Sequence, residues 1–289
     1  MGWLYNRAVF RQHCMHMDIH PIAPEKRVAV LTELDRIERD HDVRILMACE
    51  SGSRGWGFSS PDSDYDARFI YVHRQAWYLT VNEATGPNQA QRDVIELPID
   101  DELDVSGWDL RKALRLVSKS NPTLSEWLRS PIVYRQDDAA VASLLEAVDR
   151  FHSPLGSWWH YRSMAQSTHR LHLGGENVRT KKYLYVLRPL LACQWIERDT
   201  TTPPPMAFEQ LLDRLLPTGP VRDAIEQLLM VKRASAEVSE RPRIPIINDW
   251  IDAAMQRMEQ APPALAAGDG SAEALDQLFR RMLAEHAPG

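Results

Sequence analysis

Cysteine is scarce in this chain: Cys14, Cys49 and Cys193 are the only three in 289 residues. Their number is odd and their spacing too wide for a zinc knuckle. That argues against a disulfide framework and for a reducing, cytoplasmic compartment. Long apolar runs are missing as well. No stretch approaches the ~18 residues a membrane span needs, so no membrane partner is expected. A surplus of basic residues is also missing, and the net charge of -6 does not describe a general nucleic-acid binder. Histidines are scattered, and His169 and His172, i and i+3 on a helix, have no Cys or carboxylate beside them that would make a metal site. No internal repeat is visible. Residues 1–16 lack the apolar core and small-residue cleavage site of a signal peptide. They read as a disordered or mis-called extension, with Met17 as the start.

What is present is ordinary in bulk and specific in one place. At 44% hydrophobic and 26% charged, the chain suits a globular protein of one large or two modest domains. The specific place is Glu50-Ser-Gly-Ser-Arg-Gly-Trp-Gly-Phe-Ser-Ser-Pro-Asp-Ser-Asp64-Tyr-Asp66. A small-residue turn, Gly52-Ser53, is followed by a Gly/Ser/Pro-rich loop and then by two carboxylates at i and i+2. Tyr65 to Val72 reads as a strand, on which Asp64 and Asp66 share a face with Cα atoms roughly 6.5–7 Å apart. That spacing suits carboxylates gripping divalent cations, which lie about 3.5–4 Å apart in two-metal sites. The Gly-Ser turn offers backbone N–H groups and a hydroxyl to a phosphate. Arg54 follows the turn directly and is a further phosphate candidate. Either half alone is an ordinary surface turn, because Asp and Ser bond their own backbone there. Together and in this order they resemble the nucleotidyltransferase motif of the DNA polymerase β superfamily.

The hydrophobic pattern predicts helix 24–40, strand 43–48, a short helix at 52–57, strand 65–72, a loop at 80–92, strands 93–99 and 102–106 hinged at Asp100-Asp101, and helix 109–118. This is an α+β arrangement with a small mixed sheet. Beyond Asn121-Pro122 the pattern becomes helical, with helices over 124–129, 137–151, 155–173, 177–198, 207–215, 221–238, 247–258 and 272–284. Thr200-Thr-Thr-Pro-Pro-Pro205 and Arg241-Pro-Arg-Ile-Pro245 read as breaks. Between Leu155 and Arg188, the residues Arg162, Arg170, Arg179, Lys181, Lys182 and Arg188 face only Glu176, a local basic surface that fits a phosphate-bearing ligand. Trp158, Trp159 and Tyr161 read as core aromatics or as stacking surfaces for a base.

The resemblance extends further. Gly107-Trp-Asp-Leu-Arg-Lys-Ala113, Asn121-Pro-Thr-Leu-Ser-Glu-Trp-Leu128 and Ser130-Pro-Ile-Val-Tyr134, together with the motif above and Lys181 to Pro189, resemble the RNA-ligase-associated polymerase-β group, RlaP, over roughly residues 25–250. Gly55 departs from the group, which often has alanine there; added flexibility is the only expected consequence. The resemblance implies a nucleotidyltransferase catalytic domain over 17–135 and a helical substrate-binding domain over 136–289. It also implies a third carboxylate on a neighbouring strand. Asp104 in Leu103-Asp-Val105 fits best, Asp109 competes as a helix-start residue, and Glu96 is a third candidate. Asp64 and Asp66 would hold the Mg²⁺ or Mn²⁺ on an NTP, ATP by preference, and Asp104 would join them at a second ion. Arg68 shares the acid face, either as an ion pair between the carboxylates or as a substrate contact. Lys182, i and i+3 from Tyr185, is expected to present the triphosphate contact, with Lys181 about 100° away around the helix. The implied reaction transfers NMP to a hydroxyl, on an RNA end or alternatively on a protein or small molecule, with an RNA ligase as associated partner. A non-catalytic nucleotide- or partner-binding module is the reading of another class, and the intact carboxylate set argues against it.

Overall fold

The structure is a computed structural model that describes residues 21–79, 93–98, 102–234, 240–259, 265 and 271–289. Helix α1 (Pro24–His41) starts on a proline at its first turn and buries Val30, Leu34 and Ile37 on one stripe; Asp42, at φ 49°, ends it. Strand β1 (Val43–Glu50) follows, then the one-turn helix α2 (Gly52–Gly55), strand β2 (Tyr65–His73) and the short helix α3 (Gln75–Tyr78). Strands β3 (Val94–Pro98) and β4 (Leu103–Asp109) precede helices α4 (Leu110–Ser118) and α5 (Pro122–Leu128) and strand β5 (Val133–Gln136). These strands form one five-stranded sheet in the order β3-β4-β2-β1-β5. The β2–β4 pair is parallel, while β1–β2, β1–β5 and β3–β4 are antiparallel. The fold is therefore α+β with a mixed sheet.

The remaining elements are α6 (Asp138–Arg150), α7 (Pro154–His172), β6 (Asn177–Arg179), α8 (Thr180–Arg198), α9 (Phe208–Leu215), α10 (Pro220–Ala234), β7 (Glu240–Pro242), α11 (Pro245–Glu259) and α12 (Ala272–His286). Alternation sets the two faces of the sheet. Ile45, Ala48, Phe69 and Tyr71 pack beneath Val30, Leu34 and Ile37 of α1. Leu46, Ile70 and Val72 pack against α4, α5, α6 and α12 on the other face. A third core surrounds α8, whose residues from Tyr183 to Ile196 are almost all buried among α7, α9, α10 and α11.

Several details differ from the sequence-based expectations. Helix α8 begins at Thr180, not 177, because Asn177–Arg179 pairs antiparallel with Glu240–Pro242 inside a tract expected to be a break. Strand β5 was not expected; it is four residues long and held by β1. Helices α6 and α12 lie beyond residue 135 yet bury their apolar residues against the sheet. Conversely, Phe58 of the motif loop is buried in the helical core. The expected loop at 80–92, the Asp100-Asp101 hinge, the tail 235–238 of α10 and residues 1–16 lie outside the described residues. Among the described residues no helix is long and apolar enough to cross a membrane.

Candidate active site

Strand register assembles the acidic surface. Asp66 lies directly opposite Asp104 on the parallel β2–β4 pair. Burial alternates along β2, with Tyr65, Ala67 and Phe69 buried and Asp66 and Arg68 half-buried, so Asp66 and Arg68 share the outer face. Asp64 is exposed just before the strand, and Asp104 is exposed on β4. Arg68 Nη2 donates to Asp66 Oδ1 at 2.7 Å and to Asp104 Oδ2 at 2.7 Å. Burial raises the Asp66 carboxyl above its usual range; Arg68 pulls it down, while Asp104 and Asp64 push it up. Asp109 lies elsewhere. It sits opposite Tyr71, five residues and roughly 16 Å of strand beyond Asp104. It is fully buried, caps α4 through Arg111 N–H at 2.8 Å and accepts from the Tyr78 hydroxyl at 2.6 Å. Glu96 lies opposite Ser106 and is exposed.

The turn behind the acids is built on Gly52. Its φ is +55°, and a Cβ there would fall 1.9 Å from Asp66 Oδ2. Only glycine allows both the left-handed backbone and the carboxylate resting against it. Ser51 N–H donates to Asp66 O at 2.9 Å, tying the turn to β2. Ser53 is buried at the head of α2. Arg54 is buried too, and its guanidinium holds the acid loop: Nη2 donates to Ser63 O at 2.8 Å, Nε donates to Asp64 O at 3.3 Å, and the group stacks 3.9 Å over Tyr65. Gly55 has more than flexibility at stake. A Cβ there would meet the backbone oxygen of Glu50 at 2.8 Å.

Glu50 has no role in the motif as read from the sequence, yet it is the most deeply placed acid of the site. It is fully buried, accepts the Asp66 N–H at 2.9 Å on Oε1 and the Tyr134 hydroxyl at 2.6 Å on Oε2. Burial pushes its carboxyl up to about 7 despite these two donors, with Asp66 adding to the rise. The one sequence signal was a carboxylate ending the apolar run Ile45 to Cys49.

The helical region meets the site through the loop after α2. Tyr185 of α8 lies edge-on to Trp56, 5.2 Å between centroids, and 6.3 Å from Phe58. Lys182 Nζ is 5.5 Å from the Tyr185 centroid, and the charge of Lys181 is the weakest of the influences on the Asp66 carboxyl, drawing it down. Buried Glu126 accepts from Tyr161 at 2.7 Å and Trp56 at 3.2 Å and pairs with Arg188 at 2.9 Å. Fully buried Lys232 donates to Ser60 at 2.7 Å and Ser63 at 3.3 Å. Trp158 and Tyr161 are core residues, and Trp159 is 40% exposed. His169 meets Asp252 at 3.2 Å.

Among the described residues no group of three His, Cys, Asp or Glu is arranged to hold a metal ion. Two carboxylates converge, and the positive group between them is Arg68. Their donors are hard oxygens only, which fits Mg²⁺ or Mn²⁺ and not a thiolate or imidazole metal.

A mixed sheet carrying a Gly-Ser turn behind adjacent carboxylates on parallel strands is the arrangement of a polymerase-β-type protein. The chain belongs to the RlaP family, the RNA repair pathway DNA polymerase beta family, whose sequence profile matches residues 27–281. The uncharacterized protein YcgL of Bacillus subtilis (strain 168) is 44% identical over 238 residues, which cover 82% of this chain and 88% of that protein. A distant likeness, with a TM-score of 0.28 and 11% identity, links 88% of this chain to 91% of a nucleotidyltransferase-like protein from Exiguobacterium sibiricum 255-15.

Proposed function

We propose that this chain is a nucleotidyltransferase that moves NMP from an NTP, ATP by preference, onto a hydroxyl of an RNA end and releases pyrophosphate. The observation that carries this reading is the adjacency of Asp66 and Asp104 across β2 and β4, with Gly52 against Asp66. Asp64, Asp66 and Asp104 would hold Mg²⁺ or Mn²⁺. Bound there, the ion would neutralise triphosphate charge and ease deprotonation of the attacking hydroxyl. The Gly52-Ser53 turn would receive a phosphate on its backbone N–H groups. Lys181 and Lys182 bring positive charge to the triphosphate tail, and Tyr185 braces that helix against Trp56. Arg54 acts by holding the loop that presents Asp64. Membership of an RNA repair family supports an RNA acceptor and association with an RNA ligase.

The test is incubation with cell lysate and ATP labelled at the α- or the γ-phosphate, with and without Mg²⁺, followed by nuclease or protease. The expected result is Mg²⁺-dependent retention of the α-label only, sensitive to nuclease and absent with Asp66→Asn. Retention of the γ-label would make the protein a kinase. Protease-sensitive label would move the acceptor to protein, and absence of label would favour a non-catalytic module.

A further inference from the structure

The geometry points to Arg68 as a built-in counter-ion: it bridges Asp66 and Asp104, and a divalent cation that binds the two carboxylates displaces it. This inference rests on the nucleotidyl-transfer reading. Arg68 makes four contacts there. Nη2 bridges Asp66 Oδ1 and Asp104 Oδ2 at 2.7 Å each, and Nη1 donates to Asp104 O at 3.1 Å and Ala67 O at 3.2 Å. The side chain is only 17% exposed, compared with 51% for Asp104. Its place follows from the strand: residue i+2 from Asp66 returns to the same face, one step along from the Asp66–Asp104 pair.

Three arguments support displacement over a permanent pair. One nitrogen touches both carboxylates, so a cation bridging the same two oxygens, at about 2.0–2.1 Å from each for Mg²⁺, would fall within that nitrogen's volume. The two positive groups would also repel each other at contact distance. Finally, the pair is open on the Asp104 side, so the guanidinium has a path into solvent. Stored this way, Asp66 and Asp104 keep their convergent orientation without a cation. Bare carboxylates at this distance would repel and splay apart. The consequence is an exchange of one cation for another, in which Arg68 sets the threshold for divalent ion binding.

The experiment titrates Mn²⁺ and Mg²⁺ into the full chain and into Arg68→Gln, Arg68→Lys and Asp66→Asn, with no nucleotide. It reads affinity by calorimetry and the guanidinium groups by ¹⁵N-arginine NMR. Arg68→Gln should bind Mn²⁺ roughly tenfold more tightly than the native chain. That lies between the gain from releasing a half-exposed ion pair and the gain from releasing buried charged hydrogen bonds. Arg68→Lys keeps the charge but loses the two-nitrogen fork, so it should also bind more tightly, by a smaller factor. In the native chain the Arg68 signal, assigned by its loss in Arg68→Lys, should change from a restrained to a freely rotating group as Mg²⁺ saturates. Without cation, Arg68→Gln should melt below the native chain, and Mn²⁺ should narrow that gap. An Arg68 signal unchanged at Mg²⁺ saturation would overturn the displacement while leaving the metal site intact. So would Mn²⁺ affinity in Arg68→Gln equal to that of the native chain. If no binding depends on Asp66, the metal reading fails, and this inference fails with it. Should Arg68→Gln not fold, Arg68→Lys and the NMR signal carry the test.

Discussion

Replacing Glu50 by glutamine tests the deepest feature of the site. Glu50 is wholly buried, and burial lifts its carboxyl from an ordinary 4.5 to about 7. The folded chain therefore holds the Glu50 proton more tightly than the unfolded chain does. The resulting stability is fully present below pH 4.5 and is lost as pH rises toward 7. At about 1.4 kcal/mol per pH unit, the full loss is roughly 3 kcal/mol. Glutamine has nearly the same shape and no charge to desolvate. Its amide oxygen can accept the Asp66 N–H as Oε1 does now, and its NH₂ can donate to the Tyr134 oxygen. Glu50→Gln should therefore match the native chain near pH 4.5 and exceed it by about 3 kcal/mol near pH 8. Urea denaturation of both proteins at half-unit steps from pH 4.5 to 8.5, in metal-free buffer, measures the difference directly. Taking the difference cancels other titrating groups, including Asp109, which burial raises to about 6. A difference that stays flat across the range would refute the reasoning: Glu50 would then be charged in the folded protein at all these pH values, or its neighbourhood would be wet.

Other substitutions separate chemistry from scaffold. Asp66→Asn and Asp104→Asn should each abolish α-label transfer while leaving the circular dichroism spectrum and melting temperature close to native; native turnover in either would remove that acid from the metal site. Asp109→Ala should cost about 1–3 kcal/mol, through the lost α4 cap and the stranded Tyr78 hydroxyl. Turnover per folded molecule should hold, and a selective loss of turnover would return Asp109 to the catalytic set. Lys181→Ala should weaken ATP more than AMP, by roughly 10- to 150-fold for one charged contact, read by titration with Ca²⁺ in place of Mg²⁺; equal losses for both nucleotides would make α8 a structural element. Lys182→Ala should have the smaller effect, since Lys182 lies by Tyr185. Gly52→Ala should destroy turnover and cost at least the ~1–2 kcal/mol of a left-handed non-glycine residue, because its Cβ would strike Asp66 at 1.9 Å; a fully active Gly52→Ala would show that Asp66 has room to move.

The sequence carried what is local and periodic. Gly52-Ser53, Asp64 and Asp66 could be read together because turn chemistry and strand alternation act over a few residues. The family resemblance and the mixed α+β sheet followed from the same segments. Pairing partners were not written locally. Val133–Gln136 became a strand because β1 had an open edge, and Asn177–Arg179 left the expected helix because Glu240–Pro242 offered a ladder. The same limit applies to side-chain direction. Arg54 next to a phosphate turn reads as a phosphate ligand, and no local pattern announces that it also donates to the carbonyls of Ser63 and Asp64. Lys181 and Lys182 differ by ~100° around one helix, and which one faces the acids depends on how α8 docks. That docking runs through Trp56, Phe58 and Tyr185, with Glu126 beneath them as a shared buried acceptor. Hence the loop that carries the acidic motif is itself a core element of the helical region. Phe58 is buried there, and Lys232 reaches from α10 to Ser60 and Ser63 just before Asp64. Lys232 and Phe58 thus tie the loop that leads into Asp64 to α10 and to the core around α8, so the position of that carboxylate is set by contacts more than a hundred residues away in sequence, beyond the reach of any local pattern.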